Sequence, residues 1–258
     1  MSRAERLAAE IAHGRLLRER YPSIWSWSTP AGDRRALRRA KLMVAAGGFR
    51  SGQHLIDLGC GTGVFTERVA RLSGARVQGV DVSPDLVDEA RRRLPEFEFA
   101  VADAHALPFP EGHFDGVFGS STLHHLELEA ALAEILRVLK SGGRMVFAEP
   151  NILNPQVFVQ KSVPAIKRRV LEVAHETAFV RGALASRVRR AGFIEVRCAP
   201  FDFLHPLTPV RWIGAVEGLG LVIERTPLLR ELAGSTLLSA RKPARAGSVS
   251  RPDSATSA

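Results

Sequence analysis

Three glycines at alternate positions directly follow a short apolar segment, and this stretch is the strongest candidate in the sequence for a ligand-binding site. The segment covers residues 55–58, and the loop after it reads Gly59, Cys60, Gly61, Thr62 and Gly63. Glycine has no Cβ, so the backbone there turns sharply and approaches a bound molecule closely. A helical pattern begins at Val64, which places a helix N-terminus, a common site for ligand groups, at the end of the loop. The spacing predicts a strand, a ligand-binding loop and a helix.

The glycine spacing also separates this loop from the dinucleotide-binding fingerprint. That fingerprint is G-x-G-x-x-G, whereas here the order is G-x-G-x-G and Val64 follows Gly63. A short-chain dehydrogenase would also need a Tyr-x-x-x-Lys pair, but the only tyrosine, Tyr21, has Trp25 at the lysine position. The pattern therefore disfavours a nicotinamide-dependent oxidoreductase.

Carboxylates occur in this strand and at the ends of the next two. Asp57 lies inside the first strand, Asp81 ends the segment 77–81, and Asp103 follows the segment 97–101. Carboxylate oxygens accept hydrogen bonds, so Asp81 suits the two hydroxyls of a ribose and Asp103 suits the amino group of an adenine. Two roles stay open for Asp57: accepting hydrogen bonds from the loop amides, or contacting the ligand directly.

The elements that must position these residues alternate between strand and helix patterns. Ser83 before Pro84 is a typical helix start, because serine caps the helix and proline suits its first turn. Such alternation predicts a parallel sheet with helices on both faces. The predicted strands are 54–58, 76–80, 97–101, 114–119, 143–148, 193–203 and 234–240, and the predicted helices are 3–20, 33–47, 63–72, 84–93, 128–139, 155–172 and 177–191. Residues 207–231 are expected to form short helical pieces interrupted by glycine and proline.

Further motifs follow in order after the third strand. They are FDGVF at 114–118, LHHL at 123–126 and LRVLKSGGRM at 136–145. Together with the glycine loop and the acids, they resemble the class I S-adenosylmethionine-dependent methyltransferases of the small-molecule type over about residues 54–149. The resemblance implies an α/β, Rossmann-like, seven-stranded and mostly parallel sheet with helices on both faces and an antiparallel last strand. It also implies an N-terminal helical lid and a helical insertion late in the chain.

The same resemblance implies how S-adenosyl-L-methionine would be bound. The glycine loop would pack against its methionine part and ribose. Asp81 would hold the ribose hydroxyls, and Val82 would lie against the adenine. Asp103 and Ala104 would bind the adenine amino edge. Ser120, just past the fourth strand, would lie near the methionine part.

A hydroxyl acceptor must lose its proton as it is methylated, so a general base is a further candidate feature. His124 and His125 are the first candidates, because histidine titrates near neutral pH and the pair follows the fourth strand. His125 occupies the position that is most often histidine in the resembled family, where a structural role is equally open. His205 and Glu149 are lesser candidates. Adjacent histidines lie outside the usual zinc-ligand spacings, so no metal site is predicted.

Aromatic residues suggest where an acceptor would bind. Trp25 and Trp27 precede the first strand, where they either cover the cofactor or anchor the N-terminal helices. The segment 150–231 is expected to form the acceptor pocket, and it also contains the basic cluster 167–169. Its aromatic residues are Phe158, Phe179, Phe193, Phe201, Phe203 and Trp212.

This composition favours a small or medium-sized, largely apolar acceptor. We expect O-methylation of a secondary metabolite, lipid or sugar-linked intermediate. C- or N-methylation of a quinone-like or amino acceptor is the alternative, followed by an RNA methyltransferase or a cofactor-binding protein without activity. The base-amino methyltransferase signature, Asn or Asp followed by Pro-Pro-Tyr, is absent, because residues 149–151 read Glu-Pro-Asn. A nucleic-acid partner is therefore disfavoured.

The net charge of +9 is unevenly distributed. Residues 1–53 carry 11 Lys and Arg against 4 Asp and Glu, whereas residues 54–150 carry 9 against 15. Basic flanks attract nucleic acid, an anionic membrane or an acidic substrate, or they are simply solvated helix faces. Peripheral contact with a membrane or a lipid substrate stays open, and the sequence predicts no oligomeric state.

The sequence predicts one α/β domain in four parts. They are an N-terminal helical lid (1–53), a cofactor-binding core (54–150), substrate-side helices with the final strands (151–242) and a disordered tail (243–258). No apolar run approaches the roughly 20 residues of a transmembrane helix, and the charged N-terminus lacks the apolar core of a secretory signal. The two cysteines, Cys60 and Cys198, fit a reducing, cytoplasmic setting.

Overall fold

Helices and strands alternate along the chain in the computed structural model, which describes residues 3–20, 27–163 and 178–244. The strands are β1 (His54–Leu58), β2 (Arg76–Asp81), β3 (Glu98–Val101), β4 (Phe114–Ser120), β5 (Leu139–Pro150), β6 (Ile194–Phe201) and β7 (Ser235–Arg241). The helices are α1 (Arg3–Arg20), α2 (Pro30–Gly47), α3 (Val64–Ser73), α4 (Pro84–Arg93), α5 (Leu128–Val138), α6 (Pro155–Ser162), α7 (Arg181–Arg190) and α8 (Ile213–Glu224). Short 3-10 helices lie at Leu123–His125, Val210–Trp212 and Leu229–Leu232.

The strands form one sheet in the order β3-β2-β1-β4-β5-β7-β6. The pairs among β1 to β5 are parallel, whereas β7 runs antiparallel to both β5 and β6. The predicted seven-stranded, mostly parallel sheet with an antiparallel last strand is confirmed. Its strand order reverses between β1 and β4, and open α/β sheets bind ligands at the carboxyl ends of the strands beside such a reversal.

The sheet is buried on both faces, as parallel sheets are. On one face, Met43 of α2 and Phe65 of α3 pack with Val77 and Phe118 of the sheet. On the other face, the apolar sides of α5 and α7 cover the strands. The residues of this second cluster include Ile56, Val117, Leu132, Ile135, Met145, Leu184 and Val188.

Two of the element boundaries that differ from the prediction have a clear local cause. Helix α2 begins at Pro30 because Thr29 Oγ1 accepts a hydrogen bond from the Gly32 amide at 3.0 Å, which repeats the capped proline start at residues 83–84. Strand β5 begins at Leu139, where a helix end and turn were expected. Gly142 has a φ of +76°, and this lets the chain bulge while it stays paired with β4.

Helix α8 is continuous, so the expectation of short interrupted pieces between residues 207 and 231 is wrong for this part. Gly214 and Gly218 weaken the helix without ending it, because tertiary packing overrides the propensity of single residues. Gly220 faces the protein, and a Cβ there would lie 3.2 Å from the Cβ of Phe203. The predicted helices 155–172 and 177–191 are both too long, because α6 ends at Ser162 and α7 begins only at Arg181, after Phe179 pairs with Asn151. Residues 164–177 lie outside the described residues.

Helix α1 lies beside α4, near the carboxyl ends of the parallel strands. The two helices approach closely at Gly14, where a Cβ would lie 2.2 Å from Ser83 Oγ. Arg15 of α1 and Asp85 of α4 form an ion pair at 3.4 Å. A side chain at Gly14 would thus force α1 away from the loop that follows β2.

Candidate active site

The glycine loop is held in place by the end of strand β2. The amides of Gly59 and Cys60 donate to the Val80 carbonyl at 2.8 and 3.0 Å. The Gly61 amide donates to Asp81 Oδ2 at 2.9 Å, and Gly61 has a φ of +54°. The loop conformation therefore depends on the glycine backbone and on the Asp81 carboxylate together.

Asp81 uses both of its carboxylate oxygens in this arrangement. Its Oδ1 accepts a hydrogen bond from the Ser83 amide at 2.9 Å, while Ser83 Oγ caps helix α4. Burial raises the pKa of Asp81, and the hydrogen bonds from the Ser83 and Gly61 amides oppose that increase. Each oxygen has a second lone pair, so the carboxylate can accept further hydrogen bonds from a ligand.

A cavity opens above the loop, with an empty volume of about 1390 Å³ when the space open to solvent is included. Its walls come from the ends of β1, β2, β3 and β4 and from helix α1. Ten of the sequence-predicted site residues line it: Gly59, Cys60, Gly61, Thr62, Asp81, Val82, Asp103, Ala104, Ser120 and His125. Their roles toward a ligand stay predictions, but the structure brings them to one place.

Asp57 lies behind the loop and does not line this cavity. Thr66 Oγ1 donates to Asp57 Oδ2 at 2.7 Å, whereas Asp57 Oδ1 is buried without a hydrogen-bond partner. Burial and the nearby Asp81 charge raise the pKa of Asp57 to about 7. The bond from Thr66 ties Asp57 to helix α3, and the two roles left open for Asp57, a cap for the loop amides or a ligand contact, stay predictions.

Gly63 also lies outside the cavity lining, and it lies instead against the side chain of Leu94. It has a φ of +81°, and a Cβ there would lie 2.7 Å from Leu94 Cδ1. Thr62 and Cys60, in the same loop, do line the cavity. Arg93 Nη1 donates to the Thr62 carbonyl at 2.8 Å, and burial raises the pKa of the Cys60 thiol, which keeps it protonated.

Asp103 forms a small network with a histidine that the sequence analysis did not consider. Asp103 Oδ1 lies 2.7 Å from His105 Nδ1 and accepts a hydrogen bond from the His105 amide at 2.9 Å. The Glu127 amide donates to His105 Nε2 at 3.0 Å. In this arrangement His105 connects Asp103 to the backbone at Glu127. The only sequence signal was the spacing of two residues between an acid and a histidine.

His125 lines the cavity and meets a carboxylate from helix α1. His125 Nδ1 lies 3.3 Å from Glu10 Oε1, and the side chains of His13 and Glu10 line the same wall. A carboxylate only accepts, so Nδ1 carries the proton in this contact and Nε2 is the basic ring nitrogen. Glu10 was missed by the sequence analysis because it lies far from the motifs along the chain.

His124 is buried beside His125, with the two ring centres 4.2 Å apart, and it does not line the cavity. Its Nδ1 lies 2.7 Å from Glu149 Oε2, and both side chains are buried. Burial and the neighbouring His125 lower the pKa of His124 to about 4, so the ring is neutral at pH 7. Glu149 Oε1 also accepts from the amides of Thr122 and Leu123. The pair therefore supports the turn that carries His125.

Ser120 connects the cavity to a buried arginine. Arg39 of α2 donates from Nη1 to Ser120 Oγ at 2.9 Å and from Nη2 to Ser235 Oγ at 2.7 Å. Its guanidinium also lies 5.4 Å from the ring centre of Trp27, which lines the cavity. Burial and the nearby Arg35 lower the pKa of Arg39 to about 10, so it stays charged at neutral pH. Trp25 lies outside the described residues.

The described part of 150–231 contributes no residue to the cavity lining, contrary to the expected acceptor pocket. Phe179, Phe193 and Phe201 are buried in the core, while Phe158 and Trp212 are exposed. Phe203 lines a separate cavity between α2 and α8, and His205, a lesser base candidate, is also absent from the lining. Residues 167–169 lie outside the described residues. Within the described ranges, no group of three or more His, Cys, Asp or Glu is arranged to hold a metal ion.

Comparisons with known proteins agree with this fold. A family model described as a methyltransferase domain matches residues 56–147. The O-methyltransferase cnsE of Penicillium expansum is 34% identical over 189 residues, which cover 70% of this chain and 66% of that protein. An uncharacterized methyltransferase of Synechocystis is 34% identical over 149 residues, which cover 57% of this chain and 69% of that protein. A solved SAM-dependent methyltransferase from Thermotoga maritima aligns with a TM-score of 0.61 at 19% identity, over 89% of this chain and 99% of that one.

The sheet order and the glycine loop define a Rossmann-like protein with a ligand cavity at the switch point. The chain belongs to the class I S-adenosylmethionine-dependent methyltransferases. Its matches to the first four curated relatives span between 45% and 66% of their lengths. Across residues 3–20, 27–163 and 178–244, no helix combines the length and apolar content that crossing a membrane requires.

Proposed function

We propose that this protein transfers the methyl group of S-adenosyl-L-methionine to a hydroxyl oxygen of a small or medium-sized, largely apolar acceptor. A secondary metabolite, a lipid or a sugar-linked intermediate fits that description. The observation that carries the proposal is the cavity above the glycine loop, where Asp81, Asp103 and His125 line one space under helix α1. Similarity to an O-methyltransferase of Penicillium expansum supports the choice of oxygen.

The residues around the cavity fit the proposed cofactor. A Cβ added at Gly61 would meet nothing within 4 Å, so the loop leaves open space on its cavity side. The half-buried Asp81 carboxylate suits the ribose hydroxyls, because a charged acceptor forms strong hydrogen bonds with them. Asp103 and Ala104 would bind the adenine edge, with Val82 against its face. Ser120 and the glycine loop would contact the methionine part.

The chemistry of methylation sets what the protein must add. When bound, the cofactor supplies an electrophilic methyl group on a sulfonium, so most of the rate comes from placing the acceptor in line with it. A hydroxyl acceptor releases a proton, and His125 Nε2 would receive it. Glu10 would orient the His125 ring and stabilise its protonated form across the 3.3 Å contact.

His124 has no share in this proton transfer under the proposal. Its ring is buried against Glu149, and its pKa of about 4 makes it a poor base at neutral pH. It would act as a positioning residue, because it supports the turn between Thr122 and His125.

Two measurements test the proposal. The first is calorimetric titration with S-adenosylhomocysteine, and no measurable binding at millimolar ligand would contradict the cofactor assignment. The second is a methyl-transfer screen over hydroxyl, amine and quinol acceptors with labelled S-adenosyl-L-methionine. Turnover of amines or carbon acceptors alone would replace the oxygen assignment and leave methyl transfer standing.

The role of His125 has its own test on a confirmed acceptor. His125→Ala should lower kcat by about 100-fold or more, as the loss of a general base does, and added imidazole should restore part of the rate. S-adenosylhomocysteine affinity should change little. If His125→Ala keeps the full rate, His125 is not the general base.

A further inference from the structure

Helix α8 has its acidic residues on the side that faces the protein and large apolar residues on the side that faces solvent, the reverse of an ordinary surface helix. Ile213, Glu217, Gly220 and Glu224 recur every three or four positions, and this side packs toward the protein. The opposite side carries Leu219 and its neighbours, and Leu219 is 61% exposed. In an ordinary surface helix, the acids would face solvent and the leucines would be buried.

The inward acids are engaged by two arginines of α2. Glu217 Oε2 accepts from Arg34 Nη2 at 2.9 Å. The Glu224 carboxylate accepts from Arg38 through both oxygens, at 2.9 and 2.5 Å. The arginines stand one turn apart on α2, and the acids stand two turns apart on α8. These ion pairs attach α8 to the protein and keep its negative charge away from the outer side.

The exposed apolar residues extend beyond α8 into the segments before and after it. We call them the outer apolar face, and its main members are Val210, Trp212, Leu219, Val222 and Leu228. Trp212 is 53% exposed, Val222 60% and Leu228 84%. Helix α6 lies next to this region, since Asn154 Nδ2 donates to the Leu232 carbonyl at 2.7 Å, and α6 itself has no buried residue. A group of exposed apolar side chains of this kind marks an interaction site.

The charge around the face favours an anionic partner. Arg211 and Arg225 stand exposed at the two ends of α8, while the acids of that helix are paired with α2. The whole chain carries a net charge of +9. A second copy would bring the same arginines toward each other across a symmetric contact, and like charges there oppose association.

We propose that the outer apolar face docks onto the surface of a bilayer that contains anionic phospholipids. The leucines and valines enter the boundary between headgroups and acyl chains, Trp212 lies at the level of the headgroups, and Arg211 and Arg225 contact lipid phosphates. Docking of this kind is peripheral and agrees with the lack of a membrane-crossing helix among the described residues. It is independent of the proposed methyl transfer.

Vesicle flotation of the full chain tests the apolar part of the proposal. The wild type should float with vesicles of phosphatidylcholine and phosphatidylglycerol, and Leu219→Ser with Val222→Ser should weaken that binding roughly tenfold or more. The matched control is Leu72→Ser with Ile194→Ser, which removes two apolar side chains exposed elsewhere on the protein and should bind like the wild type. Equal loss in both double variants would overturn the assignment to this face.

Two further measurements test the contribution of the arginines to vesicle binding and the insertion of Trp212 into the bilayer. Arg211→Gln with Arg225→Gln should weaken binding about fivefold per arginine, and pure phosphatidylcholine should bind weakly in every case. Vesicles should shift the tryptophan emission to shorter wavelength in the wild type and much less in Trp212→Phe. Unchanged melting temperatures would show that the variants fold.

Light scattering tests whether the outer apolar face binds a second copy of this chain instead of a bilayer. A wild-type dimer that dissociates in Leu219→Ser with Val222→Ser, without vesicle binding by either protein, would overturn the proposal in favour of a second copy.

Discussion

The amide of Gly61 donates to Asp81 Oδ2 at 2.9 Å, so the residue that ends strand β2 shapes the loop that follows strand β1. The two strands are neighbours and pair in parallel, with Leu58 opposite Val80. A carboxylate that shapes the loop and also faces the cavity has two tasks, and a change of this residue affects both.

Asp81→Asn should weaken S-adenosylhomocysteine binding by about 10- to 100-fold, because hydrogen bonds to a charged acceptor contribute roughly 1.5–3 kcal/mol. Asparagine retains the side-chain volume and one accepting oxygen, but its amide nitrogen cannot accept from Gly61 or Ser83. Calorimetric titration measures the affinity. Asp88→Asn, on the exposed side of α4, is the control and should bind like the wild type. Equal affinities for all three proteins would contradict the proposed role of Asp81.

The glycines of the loop should respond differently to alanine. Gly59→Ala should lower the thermal stability most, since its Cβ would lie 2.6 Å from Thr122 Oγ1. Gly61→Ala meets no protein atom within 4 Å, so its stability cost is only the left-handed backbone, about 1–2 kcal/mol. Its methyl group would enter the cavity and should reduce S-adenosylhomocysteine affinity.

Gly48→Ala provides a matched control for that strain. Gly48 has a φ of +60° and open space around it, like Gly61, but it ends helix α2 away from the cavity. It should lose a similar amount of stability and keep full affinity, as measured by thermal unfolding and calorimetry. Similar affinities for Gly61→Ala and Gly48→Ala would argue against ligand contact at the loop.

Much of this fold could be predicted because its signals are local. The glycine spacing, the capped proline at residues 83–84 and the strand-end acids each act within a few residues, and the structure brings Asp81 and Asp103 to one cavity as expected. Contacts between distant parts of the chain had no such signal. Glu10 reaches His125 across 115 positions, and Arg39 reaches Ser120 across 81.

Residue type also failed to indicate which side of a packed element faces the cavity. His124 and His125 are adjacent and were equal candidates, yet one is buried against Glu149 and the other lines the cavity. Composition predicts that the aromatic residues of 150–231 line the acceptor pocket, but three of them fill the core. Helix α8 reads as apolar in sequence, and only its ion pairs with α2 reveal its orientation.

Asp57→Asn should change how stability depends on pH. The folded-state pKa of Asp57 is raised to about 7 from an ordinary 3.8, so between these values the folded protein binds more protons than the unfolded chain. The contribution of Asp57 to the free energy of unfolding therefore falls as pH rises through this window. Asparagine does not titrate, so the stability of Asp57→Asn relative to the wild type should increase from about pH 5 to about pH 8, by at most about 1.4 kcal/mol per pH unit.

Urea unfolding across that pH range measures the difference. Asp88→Asn, which removes an exposed carboxylate, should follow the wild type in parallel. A constant difference between Asp57→Asn and the wild type would mean that Asp57 does not titrate in this window.

Glu10→Gln should lower kcat by about tenfold on a hydroxyl acceptor, because a neutral amide stabilises a protonated His125 less than a carboxylate does. Glutamine keeps the size and an accepting oxygen at the 3.3 Å contact with His125, so helix α1 should stay in place and S-adenosylhomocysteine affinity should change little. Arg15→Gln is the control on the same helix, since it removes the exposed pair with Asp85 without touching the histidine, and its kcat should match the wild type. Steady-state kinetics and calorimetry separate the two effects. If both variants lose cofactor affinity and neither loses kcat at saturation, the part of Glu10 is to hold α1 over the cavity, and the orientation of His125 does not limit the reaction.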